Sequence, residues 1–117
     1  MLTAAYGTKY QFDPRVQLYL TGIVNNWQLG IAGRNPAILT MFESQNKPNN
    51  GGLLPWSGEF AGKYLTGAVE ILRLTDDPQL KAYLEKFVKE LVGLQEENGY
   101  LGPWTQEHQL KNTKPGT

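Results

Sequence analysis

The sequence has no cysteine among its 117 residues. Disulfide staples, thiolate chemistry and Cys-ligated metal sites are therefore excluded for this chain. It also lacks a charge excess, with 11 Lys plus Arg against 11 Asp plus Glu. A chain without a basic surplus has little to hold a phosphate backbone, so nucleic acid is not an expected partner. No apolar run is long enough to span a bilayer, and no membrane partner is expected. Residues Met1 to Tyr10 lack the basic start and apolar centre of a secretory signal. A mature exported chain would read the same way, so the compartment stays open. The single His, His108, lies in a polar tail and cannot build a His-rich metal site. No metal or cofactor is expected on this chain. Period-two alternation is nearly missing too; Lys9 to Phe12 is its one weak instance.

What is present is a globular composition. Apolar residues make up 40%, including three Trp, six Tyr and four Phe, enough for one small core. Asp13-Pro14 reads as a helix start, because Asp caps free N–H groups and Pro suits the first helical position. Val16, Leu20, Ile23 or Val24, and Trp27 follow at helical spacing, and Gly30 and Gly33 are expected to end that helix. Asn35-Pro36 starts a shorter second helix with Ile38, Leu39 and Phe42 on its apolar side, ending near Ser44. Residues Asn46 to Pro55, with Lys-Pro-Asn-Asn-Gly-Gly at their centre, read as a loop.

Ser57 reads as the N-cap of a third helix, with Glu59 in its first turn where the helix dipole favours negative charge. Phe60, Tyr64, Ala68 and Ile71 form its stripe, widened by Ala61, Leu65 and Leu72. Gly58, Gly62 and Gly67 each cost about 1 kcal/mol of helix propensity against Ala. Their clustering predicts a helix or ligand packed closely against the backbone. Thr75-Asp76-Asp77-Pro78 is a stop followed by a new start. Leu80, Tyr83 or Leu84, Phe87, Leu91 and Leu94 then give the clearest amphipathic face in the chain. Lys81, Glu85, Lys86, Lys89 and Glu90 cover its other side, with Glu85 and Lys89 spaced for an i,i+4 pair. Asn98-Gly99 reads as its C-cap. Residues 105–117 read as an irregular tail.

The fold expected is all-α, about four helices, with the third and fourth joined in an antiparallel hairpin. Such a hairpin has two faces to bury and needs neighbours, as in helical repeats and toroids of helix pairs. Its open end should bring together Trp56 to Lys63 and Gln95 to Trp104. Trp56, Tyr100 and Trp104 would then offer flat apolar faces beside the polar Glu59, Lys63 and Asn98. Aromatic faces beside a few directed polar groups suit a sugar ring, and these six are the candidate substrate-binding residues. A plainer reading stands beside this one. In it the aromatics anchor a core, as Trp and Tyr at helix ends more often do, Glu59 simply pairs with Lys63, and Asn98-Gly99 is only a cap. Glu59 with Glu96 or Glu97 is the one carboxylate combination to weigh against the roughly 5–10 Å spacing that glycosidases use.

Three ordered motifs carry a family resemblance: Trp56-Ser-Gly-Glu-Phe-Ala-Gly-Lys-Tyr-Leu65, Leu74-Thr-Asp-Asp-Pro-Gln-Leu80, and Leu94-Gln-Glu-Glu-Asn-Gly-Tyr-Leu-Gly102. Over roughly Asn35 to Trp104 the chain resembles the N-terminal part of the β-L-arabinofuranosidase family, glycoside hydrolase family 127. The resemblance implies a catalytic (α/α)6 barrel that hydrolyses arabinofuranosides or related plant and bacterial glycans. It also implies a Cys nucleophile, a zinc site of Glu and Cys residues, and a Glu acid/base. None of these can be carried onto a position of this chain, so its catalytic residues stay unknown. Six helix pairs close such a barrel, and this chain supplies about four helices. Residues 1–117 are therefore expected to be one incomplete domain, a fragment inactive alone, that binds carbohydrate and self-associates through exposed barrel edges. The competing reading is a stand-alone helical module that binds another protein.

Overall fold

The computed structural model describes residues 7–46, 57–105 and 109. Every regular element among them is helical. The first, α1 (Pro14–Ile23), runs directly into a π turn (Val24–Gln28). Two single-turn helices follow, α2 (Ile31–Arg34) and α3 (Ala37–Thr40), the latter tightening into a 3-10 stretch (Met41–Asn46). Two long helices, α4 (Glu59–Thr75) and α5 (Pro78–Val92), complete the set. The chain is all-α, as its sequence pattern predicts. The weak alternation at Lys9 to Phe12 forms no strand. Tyr10 and Phe12 instead stack on each other with ring centroids 5.9 Å apart.

The α4–α5 hairpin is the centre of the molecule. Leu72 O ends α4 by accepting from Asp76 N–H, and Asp76 takes the left-handed conformation, φ 50°. Asp is among the few non-glycine residues that visit this region at low cost. One residue later, the Asp77 carboxylate accepts from the Gln79 and Leu80 N–H groups, at 2.9 and 2.8 Å, and α5 begins. Reversal within two residues sets the helices side by side. Tyr64, about three turns before the link, meets Phe87, about two and a half turns after it, at 5.0 Å between ring centroids. Equal distances from the link are the mark of antiparallel packing.

The core lies on the inner face of this hairpin. Ala61, Tyr64 and Ala68 of α4 face Leu80, Leu84, Phe87 and Leu91 of α5, all buried. Each large apolar side chain so buried contributes roughly 1.5–3 kcal/mol. Ile38 and Phe42, from α3 and its 3-10 extension, and Val24, from the π turn, close the same cluster. The Tyr64 hydroxyl adds a tie by donating to the Gln28 carbonyl at 2.9 Å.

Several local expectations need correction. Phe60 is 49% exposed, because α4 turns Ala61 and Tyr64, not Phe60, towards α5. In α1 and its π turn the buried apolar residues are Leu20 and Val24, while Val16, Ile23 and Trp27 are exposed. The apolar arc of α1 is wider than the surface it meets. The first helix runs out at Gln28, with Leu29 as its C-cap just before Gly30, as expected, whereas Gly33 lies inside α2. Ser57 is not the N-cap of α4. Gly58 holds that place at φ 95° with no side-chain cap. Nor do Asn98 and Gly99 end α5, which stops at Val92 with Gly93 as C-cap. On the outer face of α5 the ion pair among the described residues is Lys86–Glu90, 3.7 Å, in place of the expected Glu85–Lys89. A Cβ built on Gly62 or Gly67 would meet nothing within 4 Å, so no described element presses on either backbone.

Candidate functional site

Of the six candidate residues, Trp56 lies outside the described residues; the other five can be placed. Glu59 and Lys63 sit one turn apart at the start of α4, their side chains paired at 2.8 Å and both well exposed. The pair therefore presents a carboxylate and an ammonium together at the helix N-terminus. Exposed pairs of this kind stabilise a helix little, by about 0.3–0.5 kcal/mol, so both groups can be recruited by a ligand at small cost.

The opposite wall is the loop that follows α5. Here the sequence builds a closed turn. Asn98 Oδ1 accepts from the Tyr100 N–H at 2.8 Å, and Asn98 Nδ2 donates to Glu96 Oε2 at 3.1 Å. The Glu96 N–H donates back to the Tyr100 carbonyl at 2.9 Å, and Gln95 Nε2 donates to the Gly99 carbonyl at 2.7 Å. Gly99 occupies φ 88°, which the turn requires. Tyr100 then folds over the next residues. Its hydroxyl accepts from the Trp104 N–H at 3.2 Å, and a Cβ on Gly102 would run into its ring. Burial pushes the Tyr100 phenol above its ordinary 10.0; the Trp104 N–H opposes this and the Glu96 charge adds to it. Asn98 and Tyr100 thus hold the loop in shape, and Trp104 is left half-buried at its end.

The two walls meet at Gly58. A Cβ there would lie 3.1 Å from Pro103 Cδ and 3.6 Å from Phe42 Cζ. The Gly58 N–H donates to Met41 Sδ at 2.8 Å. Three segments converge on one glycine: the 3-10 stretch after α3, the start of α4, and the loop before Trp104. Sequence reading anticipates the meeting of the last two. It misses Met41, Phe42 and Pro103 as the residues that make the contact, since nothing in their spacing distinguishes them from ordinary core and turn residues.

Glu59 is engaged with Lys63, and Glu96 accepts from Asn98 and, at 3.4 Å, from Gln109. The Cys ligands of the zinc site that the family resemblance implies have no counterpart in this chain. Among the described residues no three His, Cys, Asp or Glu side chains converge, and the chain has no Cys.

Among the described residues, hollows lie elsewhere on the surface. One, of about 640 Å³, runs between the α2–α3 segment and α5, floored by Leu29, Leu39 and Phe87 and rimmed by Thr40, Glu43 and Glu90. Another, of about 760 Å³, lies between residues 7–10 and the α4–α5 link. None of the five placed candidates lines either hollow.

Among the described residues, no helix is long and apolar enough to cross a membrane. Comparison with curated proteins and with solved structures gives no match. Comparison with family models does: the model of the β-L-arabinofuranosidase GH127 catalytic domain matches residues 15–116. That span covers nearly all of the chain, including both walls of the junction at Gly58. A carbohydrate is accordingly the substrate class that the family indicates. By this match the chain belongs to the β-L-arabinofuranosidase, GH127 catalytic-domain family.

Proposed function

We propose that this chain supplies a sugar-contacting rim of a glycoside-hydrolase catalytic domain acting on arabinofuranosides or related plant and bacterial glycans, and that it does not hydrolyse them alone. The observation that carries this reading is the junction at Gly58, which sets the exposed Glu59–Lys63 pair beside the loop bearing Tyr100 and Trp104. A pentose ring would lay its C–H face on Trp104, with Trp56 as a second platform. Its hydroxyls would exchange hydrogen bonds with Glu59, Lys63 and Asn98. Tyr100 would act by holding Trp104 in place through the hydroxyl it offers the Trp104 N–H. Hydrolysis needs two carboxyl groups across the scissile bond. The pairing of Glu59 with Lys63 and of Glu96 with Asn98 suits binding and loop support, and catalysis is assigned to residues other than these.

The test is a titration of arabinosides, pentoses and polysaccharide fragments followed by Trp fluorescence. Binding is expected, weakened about tenfold by Glu59→Gln or Lys63→Met and abolished by Trp104→Ala. Both polar variants change exposed groups and leave the fold intact. No response to any of these sugars sinks the rim reading, and release of free pentose by the chain alone sinks the inactivity.

A second reading is favoured by α1 and its π turn, whose Val16, Tyr19, Ile23 and Trp27 are exposed. Such a face suits a protein partner, either a different protein or further copies of this chain, as expected of a helical edge that a closed barrel would cover.

A further inference from the structure

The α1 face and the α3–α5 groove are two unpartnered apolar surfaces on one chain, and they match each other. Val16, Tyr19, Ile23 and Trp27 recur every three or four residues and share one side of the helix. From Val16 to Trp27 the ridge runs about 17 Å, and from Tyr83 to Gly93 the wall of the groove runs about 15 Å. The groove's floor is apolar, Leu29, Leu39 and Phe87, and at about 640 Å³ it is wide enough for large side chains. Charges match as well. Between Pro14 and Gln28 the one charged residue is Arg15, at the start of the ridge. On the groove's rim Lys86 is paired with Glu90 at 3.7 Å, while Glu43 has no ion-pair partner among the described residues.

We infer that the α1 face of one copy seats in the α3–α5 groove of a second copy, Arg15 against Glu43, in a head-to-tail contact. This rests on the self-association reading above and is independent of the sugar site. An aromatic side chain brings about 150–250 Å² to a contact. Tyr19 and Trp27, 75% and 58% exposed, with Val16 and Ile23, therefore supply about half of the roughly 800 Å² per partner of a stable interface, and the groove rim supplies the rest. The geometry also has a consequence. Ridge and groove are different surfaces, so each docked copy still offers one of each, and association continues beyond a dimer unless the ring closes.

Sedimentation equilibrium tests this, with circular dichroism to confirm that each variant is folded. The chain is expected to form concentration-dependent oligomers. Trp27→Asp blocks the ridge and Thr40→Arg blocks the groove; both positions are exposed, and each variant alone should be monomeric. Mixed together they should form a 1:1 heterodimer and nothing larger, because one keeps its groove and the other its ridge. Arg15→Glu should raise the dissociation constant about tenfold, and adding Glu43→Arg to the same chain should restore it. A monomeric wild-type chain overturns self-association altogether. Oligomers that persist in Thr40→Arg, or variants that fail to complement, overturn this pairing in favour of a ridge-to-ridge contact.

Discussion

Helices α1 and α5 begin alike and end up differently. Each opens with Asp-Pro, each Asp caps with its own carboxylate, and α1 with its π turn is as long as α5. Yet α5 buries Leu80, Leu84, Phe87 and Leu91 and covers its outer side with charge, whereas α1 leaves Tyr19 75% and Trp27 58% exposed. The start of a helix is a local matter, decided by one carboxylate and one ring. The fate of its apolar side chains is decided by neighbours. The inner face of α5 meets α4 directly across a two-residue link. The arc of α1 is wide, and only the half carrying Leu20 and Val24 finds the hairpin. The rest of that arc is a surface for something else.

The largest expected effect breaks or upholds this contrast directly. Phe87→Ala removes the ring that meets Tyr64 and should cost about 3–5 kcal/mol, a large part of the stability of any small domain. Trp27→Ala deletes a bigger side chain and should change stability by no more than about 0.5 kcal/mol. Urea melts on monomeric samples measure both. Comparable losses would mean that α1 is as deeply packed as α5, and the contrast would be lost.

What the sequence disclosed follows the same division. The amphipathic face of α5, the Asp76–Asp77 reversal and the position of Glu59 in the first turn of α4 are all legible, because each depends on residues a few places apart. The active half of α1 is not, because periodicity gives an arc without saying which part a neighbour covers. Ser57 is a sound local cap, but the contact with Pro103 and the positive φ both fall one residue later, where only glycine fits. Asn98-Gly99 is a real turn signal but not the C-cap of α5. It closes the Gln95–Tyr100 loop after α5 has already ended. At the candidate site, the meeting of the two motifs was readable from hairpin geometry alone. The polar bonds that tie up Asn98 and Tyr100 were not, since they depend on the exact path of the loop.

The next effect concerns α4, which starts by a different device. Gly58→Ala places a Cβ at positive φ and 3.1 Å from Pro103 Cδ. It should cost about 1–2 kcal/mol and loosen the loop bearing Trp104. A red shift of Trp fluorescence with a lower melting temperature would show both. An unchanged melting temperature would mean that the junction does not hold the two walls together.

A smaller effect tests how α1 is attached. The Tyr64 hydroxyl, donating to the Gln28 carbonyl, links the hairpin to the π turn. Burial, with the nearby Tyr83 adding to it, holds this phenol well above its ordinary 10.0. The folded chain therefore keeps its proton after the unfolded chain has lost it. Stability is level below pH 10 and falls as the pH rises beyond it. Tyr64→Phe should cost about 1 kcal/mol at neutral pH, one hydrogen bond, and should flatten the alkaline decline. An alkaline slope unaltered in the variant would assign that decline to other groups.

The smallest effect compares the two Asp-Pro starts themselves. Asp77 accepts from two backbone N–H groups, Asp13 only from Arg15. A cap contributes about 1 kcal/mol in general, and its loss is felt globally only where the helix it starts is coupled to the core. Asp77→Ala should therefore lower overall stability by about 1 kcal/mol, while Asp13→Ala should fray the first turn of α1 and lower it by about half that. Amide exchange separates the outcomes. Protection lost throughout α5 and its partner α4 is expected for Asp77→Ala, and protection lost only near the start of α1 for Asp13→Ala. If Asp13→Ala instead releases protection across the whole molecule, α1 is an integral part of the hairpin core. The exposure of Tyr19 and Trp27 would then reflect a limited contact area and not a weakly coupled edge.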